Sequence, residues 1–315
     1  MEFFKVWVVG LDMSPTDSFV LRNVAQLARN FRPDNIHFVH VAPEPDIPDE
    51  VLKDIPDLQV PELAYYKSKV QKYVDDNFDA ASSIEIHIKE GNALTELLRV
   101  CDQLTSDLLI VGEKGSKSPG RVARKIVRKS PCSVLLVPEL FEKSIDSILV
   151  PTDFSDYSEK ALKMGETIAE QYDGCKVNVL HVYKDASKYL SQVFETVHEI
   201  DEILLKRKTI NEKLTSYAKH KLEEYLHQFQ HEKLVITPHI KSIERGEEIS
   251  NAIEDWIKVY SPGIVIIGAK GQSAPAAALL GRVSEQVYSK CNDHLMLIIK
   301  RKNENSSLLK VLLGS

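Results

Sequence analysis

One run of segments occurs twice in this 315-residue chain, in the same order and at a spacing that only grows. VWVVGLDMSPTDSFVL (6–21) corresponds to ILVPTDFSDYSEKAL (148–162), pairing Asp12 with Asp153 at an offset of 141. IHFVHVA (36–42) and VNVLHVY (177–183) keep that offset and set His40 opposite His181. IKEGNALTELL (88–98) and IERGEEISNAI (243–253) pair Gly91 with Gly246 at 155. LLIVGEKG (108–115) and IVIIGAKG (264–271) pair Gly112 with Gly268 at 156. GRVARKIVRKSPCSVLLV (120–137) and GRVSEQVYSKCNDHLMLI (281–298) pair Gly120 with Gly281 at 161. Chance matches do not stay collinear over such distances, whereas a duplicated domain with insertions at its loops does. The length, about that of two domains, agrees.

Within each copy, short β-branched runs alternate with helical stretches. The runs VWVV, IHFVHV, IEIHI, LLIV and SVLLV in the first copy, and ILV, VNVLHV, LVITPHI, IVII and LMLII in the second, are nearly continuous in apolar character. Strands buried on both faces look like this, and alternation with helices implies parallel pairing. The expectation is an α/β chain of two tandem open five-stranded parallel-sheet domains, 1–142 and 143–302, with a tail at 303–315. Ser14 and Ser155 are expected as N-caps, and glycine turns precede Ala93 and Glu247. The copies differ between strands two and three. Residues 43–61 hold five prolines and six acidic residues, which predicts an extended loop before a helix near 62–78. Residues 186–231 read as a helical insertion in the second copy. Nine basic and nine acidic side chains over 184–233 make it a solvated face. The tail SSLLKVLLGS is apolar after a polar stretch, so docking on the body is expected ahead of binding a partner.

Charge and composition remove several function classes. A net charge of −6 and a pI near 6.0 lack the basic footprint of a nucleic-acid or membrane-surface binder. No run approaches the roughly 18–20 apolar residues of a spanning helix. The opening MEFFKVWVVGLD passes straight into a strand pattern without a cleavage region, so no signal peptide is expected. Cys101, Cys132, Cys175 and Cys291 form no CxxC pair; reduced, mostly buried thiols in a cytoplasmic protein are the expectation. His220, Glu224, His227 and His231 share one helical stripe, but no HExxH accompanies them and no metal site is expected. Seven basic side chains lie within 114–129, and Val122, Ile126 and Val127 are expected on the buried side of the helix from 120. G-x-S-x-G, GxxxxGK[ST] and GxGxxG are all absent, so no catalytic residue is assigned.

Open parallel sheets take ligands at the carboxyl ends of their strands, where the strand order reverses. The loops after strands one and four therefore carry the site expectations. After strand four the second copy has Gly268, Gly271 and Gly281, with two residues and then nine between them. Glycines let backbone N–H groups approach an anion, and a helix start adds unpaired donors and partial positive charge. Lys270 and Arg282 add cationic donors. Asp153, after strand one, offers a carboxylate to ribose hydroxyls or a base amine.

These residues resemble the universal stress protein family, whose loop after strand four reads G-x2-G-x9-G-(S/T) and whose first strand and helix look like ILVPTDFSDYSEKAL. The resemblance covers about residues 3–138 and 145–301. It implies an adenine nucleotide alpha-hydrolase-like, Rossmann-type fold. It implies ATP, with Mg2+, as ligand: adenosine at Pro151, Thr152, Asp153 and Val182, and phosphates at Gly268, Gly271, Gly281, Val283 and Ser284. The first-copy equivalents are Gly10, Leu11, Asp12 and Val41, then Gly112, Gly115, Gly120 and Arg121. Two departures stand out. Arg282 and Arg121 occupy the hydroxyl position, either substituting by charge or filling the site. The first copy also has four residues between Gly115 and Gly120 where nine are expected, which marks it as the degenerate half. The resemblance further implies an internal pseudo-dimer through strands 133–138 and 295–300, with association of two chains open. The function it implies is a stress-response module that binds adenine nucleotide and a protein partner not named by the sequence. Alternatives are a nucleotide-independent scaffold with decayed loops and a slow ATP hydrolase.

Overall fold

The structure is a computed structural model that describes residues 4–43, 63–80, 82–113, 120–139, 144–190, 197–229, 234–272, 274, 279–291 and 293–303. It separates into two compact units. One comprises the first 142 residues together with the stretch that begins at Lys300; the other is Lys143–Ile299. No described helix is long and apolar enough to cross a membrane.

Unit one runs β1 (Val6–Leu11), α1 (Thr16–Phe31), β2 (Asn35–Ala42), α2 (Leu63–Asn77), β3 (Ser83–Glu90), α3 (Ala93–Gln103), β4 (Leu108–Glu113), α4 (Arg121–Lys129), β5 (Ser133–Pro138). Its strands are parallel in the order β3-β2-β1-β4-β5. Unit two repeats this with β6 (Ser147–Thr152), α5 (Asp156–Ala169), β7 (Lys176–Lys184), α6 (Val197–His227), β8 (Val235–Ile243), α7 (Ile249–Tyr260), β9 (Ile264–Gly268), α8 (Arg282–Lys290) and β10 (Met296–Ile299). Its order is β8-β7-β6-β9-β10, again parallel. The insertion read at 186–231 consists of a short 3-10 turn, Ala186–Lys188, and the 31-residue α6.

The central strands bury apolar side chains on both faces. Val8, Val9, Ile110, Val134 and Phe38 in unit one, and Ile148, Leu149, Val265 and Ile266 in unit two, are all about fully buried. That explains their continuous apolar runs, since helices cover both sides of a parallel sheet. The outer strand β3 alternates less and stays more exposed, as an edge does.

In each unit the strand order reverses between the first and fourth strands. In unit one the β1–β4 ladder extends to Gly10–Val111. In unit two the β6–β9 register stops at Leu149–Val265. Gly10 and Pro151 occupy the same place in the repeat, and Pro151 has no N–H to donate. The carboxyl ends of β6 and β9 are thereby released from each other.

Two expectations change. Ser14 does not cap α1: Pro15 stands at the N-cap position without a side-chain bond, and the Ser14 carbonyl accepts from Asp17 N–H instead. Ser155 does cap α5, accepting from Ser158 N–H at 3.3 Å. Val122 is 45% exposed; burial on α4 follows Ala123, Ile126 and Val127, the i, i+3, i+4 stripe that faces the sheet. Lys300 packs with unit one. Lys300 Nζ donates to the Arg128 and Ser130 carbonyls at 3.1 Å each. Lys302 pairs with Asp107 at 2.6 Å.

Candidate functional site

The loop after β6 is rigid for local reasons that recur in both units. His181 Nδ1–H donates to the Thr152 carbonyl at 3.0 Å, and His40 does the same to Leu11 at 2.9 Å. Each histidine thus pins the last residue of the neighbouring strand. The chain then turns through a left-handed residue, Phe154 at φ 63° and Met13 at φ 64°. Asp153 Oδ1 accepts from Ser155 N–H, and Asp12 Oδ1 from Ser14 N–H, both at 3.1 Å. Burial lowers the His181 pKa, so the ring is neutral at pH 7.

The other carboxylate oxygen of Asp153 reaches the second loop. Asp153 Oδ2 accepts from Gln272 N–H at 2.8 Å, which ties the loop after β6 to the loop after β9. A Cβ at Gly271 would lie against that same oxygen, so a larger residue there would push the Asp153 carboxylate aside. Gly268 is more tightly constrained: a Cβ would stand 2.7 Å from Tyr157 Cβ and against its backbone, so the first turn of α5 packs directly on the end of β9. Gly281 N–H donates to the Ala269 carbonyl at 2.7 Å and starts α8. No side chain caps that helix. Its first-turn N–H groups, on Arg282, Val283 and Ser284, have no intrahelical acceptor and stand at the positive end of the helix dipole.

These pieces enclose a cavity of about 410 Å3. Pro151, Thr152, Asp153 and Val182 line one part of it. Gly268, Lys270, Gly271, Gly281, Arg282, Val283 and Ser284 line another. All eleven residues singled out in the second copy therefore meet in one place. Leu180, Ile249, Ile253 and Ile267 complete an apolar wall that the sequence pattern did not single out. The volume lies in the range of small-molecule sites, roughly 300–1,000 Å3.

The question left by Arg282 has a geometric answer. Its guanidinium pairs with Glu248 at 2.5 Å and its side chain is 72% exposed, so it does not fill the cavity. Ser284 contributes through its backbone, since its hydroxyl is committed to the Gly268 carbonyl at 2.7 Å. The insertion helix supports the opposite side of the loop. Tyr225 meets Phe154 edge-on at 5.2 Å, and Lys221 Nζ stands 4.5 Å from the Phe154 ring centre. Burial pushes the Tyr225 phenol up to about 12. Glu248, Phe154 and Tyr225 carried no pattern visible in one copy alone.

The first-copy equivalents are arranged differently. Gly10, Leu11, Asp12 and Val41 sit at the ends of β1 and β2, Gly112 near the end of β4, and Gly120 and Arg121 at the start of α4. Gly115 lies outside the described residues, as do Lys114, Lys117, His231 and the tail 306–315. Two buried carboxylates take backbone donors whose equivalents in unit two go to neutral oxygens, Gly281 N–H to the Ala269 carbonyl and Phe154 N–H to Thr152 Oγ1. Glu113, only 2% exposed, accepts from Gly120 N–H at 2.6 Å at the start of α4. Asp17, 3% exposed, accepts from Asp12 N–H at 3.3 Å and Met13 N–H at 2.7 Å. In the repeat, Ala269 and Ser158 stand in their places. Unit one thus carries its own anions where an anion-binding loop would place its ligand's.

The family model described as "Universal stress protein family" matches residues 4–138 and again 144–315. A universal stress protein of Methanocaldococcus jannaschii is 29% identical over 163 residues, 50% of this chain and 95% of its own length. A crystal structure of a universal stress protein from Archaeoglobus fulgidus superposes with a TM-score of 0.62 at 14% identity, covering 95% of this chain and 97% of that one. A functionally unknown protein from Pseudomonas aeruginosa superposes with a TM-score of 0.57 at 12% identity, covering 99% and 98%. At those identities the two structures are likenesses of fold.

Proposed function

Since the chain belongs to the universal stress protein family, in tandem two-domain form, we propose that unit two binds ATP or a related adenine nucleotide in the cavity at the ends of β6 and β9. The carrying observation is that eleven residues from separate segments line one cavity whose parts match the parts of such a ligand. Leu180, Val182 and Ile253 offer an apolar wall to the base. Asp153 retains lone pairs for ribose hydroxyls after its two backbone bonds. The Gly271 turn and the uncapped start of α8 offer N–H donors to phosphate, and Lys270 adds charge that Mg2+ would share. Glu113 and Asp17 set buried carboxylates at the corresponding place in unit one, where they disfavour phosphate, so one ligand per chain is expected. The protein then acts as a ligand-responsive binding module, stabilised when occupied.

The test is direct. Chain purified under native conditions and then denatured should release adenine nucleotide, and stripped chain should give heat on titration with Mg-ATP. Gly271→Ala, which displaces Asp153 from Gln272, should weaken that binding by more than about tenfold, roughly the 1.4 kcal/mol of one disturbed contact. Absence of both released nucleotide and heat would leave the scaffold reading.

A further inference from the structure

Histidine enters the sheet of unit one twice at one spot. In the β2–β3 register His37 stands opposite Glu85, and Val39 opposite His87. Side chains alternate across a strand, so His37, Glu85 and His87 share a face. Phe38 points to the other face, where it meets Phe78 at 5.3 Å. His37 Nδ1 lies 3.0 Å from His87 Nε2. Glu85 Oε2 lies 3.5 Å from the first nitrogen and 3.6 Å from the second. The three atoms form a nearly equilateral triangle. A tetrahedral zinc ion, with ligands at roughly 2.0–2.1 Å, spaces them by about 3.3 Å. Burial, joined for His87 by the nearby His37, holds both imidazoles below their usual pKa. Neutral imidazole is the form that ligates.

The duplication supplies a comparison inside the same chain. At the same register unit two has Asn178 for His37, Thr237 for Glu85 and His239 for His87. There the pair is a plain hydrogen bond, His239 Nε2–H to Asn178 Oδ1 at 3.0 Å. Trp256 and Tyr260 cover that histidine at 5.4 and 6.2 Å. A polar pair satisfied across the two strands therefore needs neither a second imidazole nor a carboxylate. Unit one has both, aimed at one point. The point is also reachable, because β3 is the outer strand and the Glu85 and His87 side chains are 58% and 26% exposed. Imidazole and carboxylate donors suit zinc and its neighbours in the first transition row.

We propose that His37 Nδ1, His87 Nε2 and Glu85 Oε2 bind a divalent transition-metal ion of the zinc class, with water as fourth ligand. The site belongs to unit one and does not rest on the nucleotide reading of unit two. It would clamp the edge strand to β2 and make the stability of unit one metal-dependent.

The full chain, free of any affinity tag and stripped with a chelator, is titrated with Zn2+ against a chromophoric competitor, and separately with Co2+. One zinc per chain is expected, with visible absorption from the cobalt form. His37→Asn with Glu85→Thr copies the arrangement of unit two, keeps the hydrogen bond to His87, and should weaken zinc binding by more than about 100-fold, since even outer-shell changes cost 10–100-fold. His87→Gln should do the same. His220→Ala with His227→Ala, which removes other exposed imidazoles, should leave the stoichiometry unchanged. Zinc binding equal in the native chain and the His37→Asn/Glu85→Thr chain overturns the proposal, as does binding lost with His220 and His227.

Discussion

Single residues decide what each copy of the loop can hold. Glu113 against Ala269, Asp17 against Ser158 and Gly10 against Pro151 are three such pairs, and each changes a hydrogen-bonding group rather than a shape. Glu113 is the most informative. Its carboxylate takes the Gly120 N–H at 2.6 Å, in the manner of a cap reaching back onto a helix start. Glu113→Ala should destabilise unit one by about 1–2 kcal/mol, the usual cost of an N-terminal cap with some added charge. Urea unfolding in a Trp256→Phe background reads this, because Trp7, buried in unit one, is then the chain's one indole. An unchanged midpoint would mean that water serves the helix start as well as the carboxylate does. The carboxylate was visible in the sequence as GEKG beside GAKG, an acid between two glycines of an anion-binding turn. Its consequence was not visible, because whether it faces the helix start depends on how the strand end and α4 are spaced. The Arg282 question was illegible for a related reason: its partner Glu248 precedes a different helix, and nothing local ties the two together.

At the scale of elements, periodicity and repeat carried the reading far. The strands, the helix after the proline-rich loop and the long insertion follow from local patterns of apolar and polar residues, which is why they were legible. Caps and edges depend on neighbours, which is why Ser14 and Val122 depart from what their local patterns suggest. Two histidines of unit two show a function that only pairing reveals. His181 ties β7 to the end of β6, and His239 ties β8 to β7 through Asn178. Burial lowers the pKa of both. Unfolded histidine titrates near 6.5, so below that pH the unfolded chain binds protons that the folded unit resists. The contribution of these residues is therefore complete above about pH 6.5 and is lost as the pH falls from there toward their folded pKa values. In a Trp7→Phe background, Trp256 should report a lower urea midpoint at pH 5.5 than at pH 7.5. His181→Gln should flatten that difference, and a profile already flat in the parent chain would show that other groups compensate.

The whole molecule is a duplicated fold whose two halves have kept the scaffold and parted in chemistry. The strand order and the reversal point are common to both units, so each has a place where a ligand would sit. Unit two leaves that place open: the ladder ends early at Pro151 and Gly271 admits Asp153. Unit one puts the buried carboxylates Asp17 and Glu113 there and gathers histidines on β2 and β3 instead. A ligand that binds one unit stabilises that unit in proportion to RT ln(1 + [L]/Kd), about 2.7 kcal/mol at a hundredfold excess over Kd. Mg-ATP at that excess should accordingly raise the unfolding midpoint followed by Trp256 and leave the one followed by Trp7 in place, each measured with the other indole replaced by Phe. Zn2+ should do the reverse, shifting the Trp7 transition and not the Trp256 transition. Both ligands moving the same transition would mean that the division of labour between the copies is wrong. A crossed pattern, one ligand to one unit, is the outcome that the differences between Glu113 and Ala269 and between His37 and Asn178 require.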